Sequence, residues 1–209
     1  MTALALSLVV AYLAGAFPTA WLAGKARGVD VGRQGSGNYG ATNVFRTLGP
    51  APAVIVMIVD VAKGFLPVAF LPRALPVDGV APLTQAVLLA VAAVVGHVYS
   101  VFLGFRGGKG IGTAAGAYLA LAPWALLVAL GVWLAVVAAA RIVSLASLAG
   151  ALALLAAVVV IDFAPAGSDV VLVGATALLV AFVFWTHRAN IGRLTRGEER
   201  RIAPGGRVR

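Results

Sequence analysis

Three short polar runs interrupt an otherwise apolar chain, and each carries groups suited to holding an anion. The first reads Gly35-Ser36-Gly37-Asn38-Tyr39-Gly40-Ala41-Thr42-Asn43-Val44-Phe45-Arg46. Glycines let backbone N–H groups converge on an anion. Ser36, Asn38, Thr42 and Asn43 add neutral donors, and a guanidinium such as that of Arg46 binds phosphate through two parallel hydrogen bonds. The run contains a literal G-x-G-x-x-G. No strand precedes it and no βαβ unit surrounds it, so a dinucleotide site is excluded. The second run is Phe105-Arg106-Gly107-Gly108-Lys109-Gly110. It is not a Walker A loop, because Gly110 rather than Ser or Thr follows Lys109. It is still a glycine-rich loop with a lysine that opens a short helix, and a helix N-terminus beside a lysine suits an anion. His97 stands upstream of it, near the inner end of its apolar run.

The third run is Thr186-His187-Arg188-Ala189-Asn190-Ile191-Gly192-Arg193-Leu194, followed by Gly197, Glu198 and Glu199. His187 and Asn190 are three apart, a spacing that predicts one helical face. A general base or a substrate-positioning pair would suit that place. Asp60 and Lys63, also three apart, lie inside an apolar run, where an unpaired charge is expensive; an internal ion pair is the expected outcome. Each feature has a plainer alternative. The first run can be a capped polar loop, the second a loop made basic by topology, His97 a packed core residue, and the third the basic end of a last span. There is no H-E-x-x-H, no carboxylate cluster for a metal and no G-x-S-x-G elbow. An H-x-x-x-x-D acyl-transfer pattern is absent too, since Phe102 and Gly192 stand five residues after the two histidines. With no cysteine, thiolate chemistry is excluded. The donor set points to an anionic, phosphorylated ligand, with no cofactor or metal expected.

The elements that position these groups follow from composition. The chain has 209 residues, 62% hydrophobic and 11% charged, with a mean hydropathy of +1.02. Soluble domains carry about 25% charged residues, and disordered chains are poor in apolar ones, so both classes are excluded. Spanning helices need about 20 apolar residues. Residues 4–24, 51–71, 82–103 and 143–163 qualify, and 170–185 is somewhat short. Residues 111–140 are broken by Pro123 and cross once or twice. If they cross twice, fourteen of the sixteen basic residues fall on one side, as the positive-inside rule requires. The expected fold is therefore an all-α polytopic membrane protein of seven transmembrane helices, one or two of them short or broken. Its N-terminus is outside and its C-terminus inside. Residues 111–121 would be a half helix or a re-entrant piece, with Gly108, Gly112 and Gly116 offering a small-residue packing face. No Lys or Arg precedes the first apolar run, so it is expected to be a retained helix rather than a cleaved signal. Residues 1–209 are expected to form a single domain, with 201–209 a flexible basic tail. The net charge of +9 then marks a cytoplasmic face, and no nucleic-acid partner is expected.

These runs resemble the bacterial membrane glycerol-3-phosphate acyltransferases that use acyl-phosphate as donor, the PlsY family. Gly35-Ser36-Gly37-Asn38-x-Gly40-Ala41-Thr42-Asn43-x-x-Arg46 carries the resemblance. So do His97 through Phe102 with Phe105 to Gly110, and Thr186-His187-x-x-Asn190-Ile191-x-Arg193-Leu194-x-x-Gly197-x-Glu199. Asp60-x-x-Lys63-Gly64 agrees as well. The resemblance implies transfer of an acyl group from acyl-phosphate to the 1-hydroxyl of glycerol 3-phosphate, giving lysophosphatidic acid and phosphate, in phospholipid synthesis. It implies a multi-pass protein of the bacterial inner membrane, working among membrane lipids as a monomer with its site facing the cytoplasm. Ser36, Arg46, Lys109, His187 and Asn190 are expected to grip glycerol 3-phosphate, with His187, Ser36 and Asn190 the catalytic candidates. Backbone N–H groups of residues 37–42 and 107–110 are expected to cradle the acyl-phosphate head. The substrate-binding set thus spans Gly37, Asn38, Gly40, Thr42, Asn43, Gly107, Gly108, Lys109 and Gly110, with His97 and Glu199. An acyl-phosphate is already activated, so positioning and oxyanion stabilisation could suffice without a covalent intermediate. The base is either His187 or the donor's own phosphate. A transporter of a phosphorylated solute is the rival reading, since broken helices and helix-terminus anion sites suit it as well.

Overall fold

A computed structural model describes residues 2–163 and 170–202. The regular structure of these residues is helical: α1 (Thr2–Ala16), α2 (Thr19–Lys25), α3 (Ala41–Leu48), α4 (Pro50–Ala74), α5 (Pro82–Val98), α6 (Ile111–Leu121), α7 (Pro123–Ala140), α8 (Val143–Ala157), α9 (Val170–Thr186) and α10 (Arg188–Thr195). A 3₁₀ turn, Val101–Leu103, follows α5, and a π-helical turn, Val158–Phe163, follows α8. The chain divides into two compact units, Met1–Leu121 and Ala122–Arg209. Of the expected basic tail, residues 203–209 lie outside the described residues.

Among the described residues five helical stretches are long and apolar enough to cross a membrane: Thr2–Lys25, Pro50–Ala74, Pro82–Leu103, Pro123–Ala140 and Val143–Ile161. The pair α9 and α10, bent by 62° between them, makes a sixth if counted as one span. Helix α6 has 11 residues, about 16 Å at 1.5 Å per residue. That is roughly half of a hydrocarbon core of about 30 Å.

In the first unit, proline and glycine decide the geometry. Pro18 separates α1 from α2 and leaves the Ala16 and Phe17 carbonyls without helical donors. Ser100 Oγ donates to Ala16 O at 2.6 Å and Lys63 Nζ to Phe17 O at 3.2 Å. Glycines then allow backbones to touch. A Cβ at Gly15 would overlap the Ala93 carbonyl, and one at Gly96 the Tyr12 carbonyl. One at Gly64 would overlap the Thr113 carbonyl, and one at Gly116 the Val61 carbonyl. Ala11, Leu89, Ala90, Val68 and Ala117 fill one core cluster.

These contacts set the directions of the helices. Helices α1 and α5 run the same way, because Ala11 packs with Leu89 and Gly15 with Ala93. Helices α4 and α5 run oppositely, because Val68 packs with Leu89 while Asp60 reaches His97. Helix α6 runs with α4: Gly112 meets Asp60 and Met57, Gly116 meets Val61, and Ala117 packs with Val68. The chain therefore reverses between α5 and α6. Helix α6 begins level with Asp60, ten residues into α4, or about 15 Å along it. The small-residue face expected at Gly108, Gly112 and Gly116 is realised on α4 at the latter two, while Gly108 precedes the helix and rests on His97.

In the second unit α7 and α8 form a hairpin. Its turn places Arg141 in the left-handed region (φ 60°), and Gly150 lies against Ala129 and Trp133. Pro123 begins α7, where a missing N–H costs nothing. Helix α9 packs on α8, and Ile202 N donates to Arg141 O at 2.8 Å.

Candidate active site

The first glycine-rich run folds in the first unit as a tight loop before α3. Gly35 and Gly37 take φ values of 62° and 66°, a region that glycine enters without penalty. Asn43 is the clasp of this loop. It is buried; its Oδ1 accepts the Ser36 N–H at 2.7 Å, and its Nδ2 donates to Val31 O at 2.9 Å and Gln34 O at 3.1 Å. Asn43, expected among the substrate-binding residues, has its whole amide engaged by the loop itself and holds that loop. The Ser36 side chain, by contrast, is exposed and its hydroxyl makes no hydrogen bond among the described residues. Thr42 sits in the first turn of α3 and Arg46 in its last. The first N–H groups of any such helix have no intrahelical acceptor.

The second glycine-rich run meets the first. Asn38 Nδ2 donates to Gly107 O at 3.2 Å, and Tyr39 N donates to the same oxygen at 3.4 Å. Asn38 is thus a tie between the two loops. Gly107 and Gly108 lie under the C-terminus of α5: Gly108 N donates to His97 O at 3.1 Å, and a Cβ at Gly107 would overlap that same carbonyl. Gly110 has a φ of 85° and its carbonyl accepts Ala114 N at 2.7 Å, opening α6. Lys109 stands half-buried between the two buried glycines. The structure therefore brings Ser36, Gly37, Asn38, Gly40 and the 107–110 backbone onto one pair of joined loops, with Thr42 at the start of the helix that follows the first loop and Arg46 in its last turn.

Behind the loops lies a buried polar set. Lys63 Nζ bonds Asp60 Oδ1 at 2.9 Å, which is the internal ion pair that the spacing predicts. His97, only 5% exposed, places Nδ1 3.8 Å from the same carboxylate oxygen. A narrow cleft is bordered by Thr19, Tyr39, Asp60, Lys63, His97, Ser100, Gly107 and Gly108. The spacing of Asp60 and Lys63 could be read from sequence. Their meeting with His97 could not, because it depends on α4 and α5 running antiparallel.

In the second unit the polar run breaks the last apolar helix. His187 ends α9 with φ −97° and ψ 6° and forms the N-cap of α10. His187 and Asn190 therefore straddle a bend, where the three-residue spacing implies a continuous helical face. His187 is 2% exposed, and its Nδ1 lies 2.8 Å from Val183 O. A carbonyl oxygen only accepts, so Nδ1 carries the proton of this contact.

Glu199 is the hub of this end. Its Oε1 accepts from Asn190 Nδ2 at 2.6 Å and from Ser144 Oγ at 3.0 Å, and its Oε2 accepts from Arg193 Nε at 2.7 Å. Burial by itself would raise the Glu199 carboxyl. The hydrogen bonds from Asn190, Arg193 and Ser144, with the Arg193 charge, outweigh it and hold the group below the usual glutamate range. Glu199, counted above among the substrate-binding residues, has both oxygens engaged by the chain's own donors. A buried carboxylate would also repel a phosphate. Its place is to brace Asn190 and Arg193. Ser144, fifty-five residues away in sequence, is a member of this cluster that sequence reasoning missed; its only signal is a hydroxyl at the start of an apolar helix.

Comparisons with known proteins agree on one family. The family model described as glycerol-3-phosphate acyltransferase matches residues 5–197. The chain is 46% identical to the glycerol-3-phosphate acyltransferase of Myxococcus xanthus strain DK1622 over 200 residues, covering 93% of this chain and 97% of that one. It is 42% identical to the enzyme of that name from Geobacter sulfurreducens over 193 residues, covering 92% and 94%. Among solved structures it is similar to PlsY (YgiH), described as an integral membrane glycerol 3-phosphate acyltransferase. The glycerol 3-phosphate form superposes with a TM-score of 0.86 and the lysophosphatidic acid form with 0.84. Both show 35% identity and cover 97% of this chain and 96% of theirs. With a family model spanning nearly its whole length and relatives above 40% identity, the chain belongs to the glycerol-3-phosphate acyltransferase family.

Proposed function

We propose that this protein transfers an acyl group from acyl-phosphate to the 1-hydroxyl of glycerol 3-phosphate, releasing lysophosphatidic acid and inorganic phosphate. The observation that carries the reading is family membership over residues 5–197, and the chemistry of the joined glycine loops supports it. In the first unit Ser36, Arg46 and Lys109 take the phosphate of glycerol 3-phosphate, and the loop N–H groups take the acyl-phosphate head. In the second unit His187 and Asn190 serve the acceptor substrate.

The substrate hydroxyl oxygen attacks the acyl carbonyl carbon. A new C–O ester bond forms as the bond between that carbon and the phosphate oxygen breaks, and the phosphate leaves with the electron pair. The proton goes to His187 Nε2 or to the departing phosphate. Backbone donors aimed at the carbonyl oxygen stabilise the charge that develops there. Because phosphate is a good leaving group, no acyl-enzyme is needed.

We further infer seven spans in the inner membrane, N-terminus out and C-terminus in, with the polar loops on the cytoplasmic side and the monomer as the working unit. The reversal of direction between α5 and α6 supports counting α6 as a separate pass. Lys25 over Trp21 at 4.8 Å and Arg188 over Trp185 at 4.5 Å are interfacial anchors that suit the inner ends of their helices.

Purified protein in detergent, given acyl-phosphate and glycerol 3-phosphate, should release phosphate in step with lysophosphatidic acid. No release, together with solute flux in liposomes, would overturn the reading in favour of transport. Full activity in His187→Ala would assign the proton to the donor phosphate. Single cysteines introduced into this cysteine-free chain test topology by labelling from either side.

A further inference from the structure

A loop with glycine at 107, 108 and 110 has wide backbone freedom. It can hold its N–H groups ready only if something packed against it fixes its shape. His97 does so with both its main chain and its side chain. Its carbonyl accepts the Gly108 N–H at 3.1 Å. Its ring edge at Nε2 lies against Gly108 so closely that a Cβ there would overlap it. The opposite ring nitrogen, Nδ1, is buried, has no hydrogen-bond partner among the described residues and faces Asp60 Oδ1 at 3.8 Å. Asp60 is held in turn by Lys63 at 2.9 Å, and Lys63 is fixed to the Phe17 carbonyl at the break between α1 and α2.

A polar ring buried with an unpaired nitrogen is unfavourable unless a partner fixes it. The carboxylate across the gap is the group that can fix it.

We propose that His97 is a positioning residue: steered from behind by the Asp60–Lys63 pair, it sets the conformation of the Gly107-Gly108 backbone and thereby aligns the loop on the phosphate it binds. The inference rests on the reading of that loop as a phosphate site. His97 itself touches no substrate in this scheme, so its loss changes how well a phosphate substrate is held more than how fast the bound pair reacts.

The test is steady-state kinetics of the full-length protein in detergent, varying glycerol 3-phosphate and acyl-phosphate in turn, with a melting curve for each variant. His97→Leu fills the volume without a nitrogen. It should raise KM for one of the two phosphate substrates by about tenfold or more while kcat changes by less than about threefold. His97→Asn, whose amide stands near the place of Nδ1 and can meet Asp60, should recover KM to within about threefold of wild type. Gly108→Ala, whose methyl group would displace the same ring, should share the KM defect, and adding His97→Leu to it should raise KM by less than about threefold more, because both changes break one contact. Unchanged KM in folded His97→Leu overturns the proposal, and so does a fall in kcat alone. If His97→Leu does not fold, Gly108→Ala decides: an unchanged KM in folded Gly108→Ala overturns it. Wild-type protein that transfers no acyl group would instead overturn the reading beneath it, and that is seen before any variant is made.

Discussion

Glu199→Ala should lower stability by about 3 kcal/mol. A hydrogen bond to a charged acceptor contributes about 1.5–3 kcal/mol. The buried carboxylate receives such bonds from Asn190 and Ser144, whose polar atoms would be left without it. The Arg193 side chain is 35% exposed, so water replaces much of its contribution. Removing Glu199 also removes the expense of burying a carboxylate, which keeps the net effect at the lower end of the roughly 3–5 kcal/mol typical of a broken buried pair. At about 2–4 °C per kcal/mol for a chain of this size, the midpoint should fall by on the order of 10 °C.

Thermal unfolding in detergent reads this directly. Glu199→Gln keeps one acceptor and loses the charge, so it should fall about half as far. The pH dependence follows from the lowered carboxyl of Glu199. A group held below its unfolded value adds stability above that value and loses it as pH falls through the folded one. The wild type should therefore lose midpoint below about pH 4, and Glu199→Gln should lose less over the same window. A midpoint for Glu199→Ala within about 2 °C of wild type would refute the bracing role, as would identical acid profiles for wild type and Glu199→Gln.

Gly64→Ala drives a methyl group into the Thr113 backbone and should cost at least about 1–3 kcal/mol. Gly131→Ala has open space and should gain up to about 1 kcal/mol from helix propensity; melting curves compare the two. Ser36→Ala removes an exposed hydroxyl that braces nothing, so acyl transfer should drop about tenfold or more while the midpoint stays within about 2 °C. Lys63→Met leaves Asp60 buried and uncompensated and should destabilise by about 3–5 kcal/mol. Adding Asp60→Leu should restore most of that loss, which would not happen if Lys63 acted only on the Phe17 carbonyl.

Local features of this fold were legible in the residues themselves. Proline announced the break at residue 123, and glycine announced the close approaches of α6. Both act within a few residues. The ion pair of Asp60 and Lys63 was equally plain, since helical spacing alone puts them together.

What escaped the sequence was the engagement of polar side chains by distant partners. Asn43 reads as a phosphate donor until its amide is seen to close its own loop. Glu199 reads as part of a binding motif until Ser144, from the start of another helix, is found against it. Nor does spacing reveal a bend at His187, because the residues on either side are as helix-compatible as those of a straight helix. Which donors remain available to a ligand is set by tertiary contacts, and Ser36 and Asn43 differ in nothing that their local sequence displays.

The shortness of α6 bears on how the chain enters a membrane. A stretch of 11 apolar residues is too brief to be held by lipid alone, so it cannot partition as an independent segment while the chain is being made. Its glycines fit α4, Gly116 against the Val61 backbone and Gly112 against the Asp60 and Met57 side chains, so α4 must already be in place with Asp60 and Lys63 paired. Insertion of the first unit is therefore ordered: an earlier span prepares the berth, and the half helix settles into it afterwards. Cells making Gly116→Ala should accumulate chains with the segment after residue 110 left outside the bilayer and open to proteases.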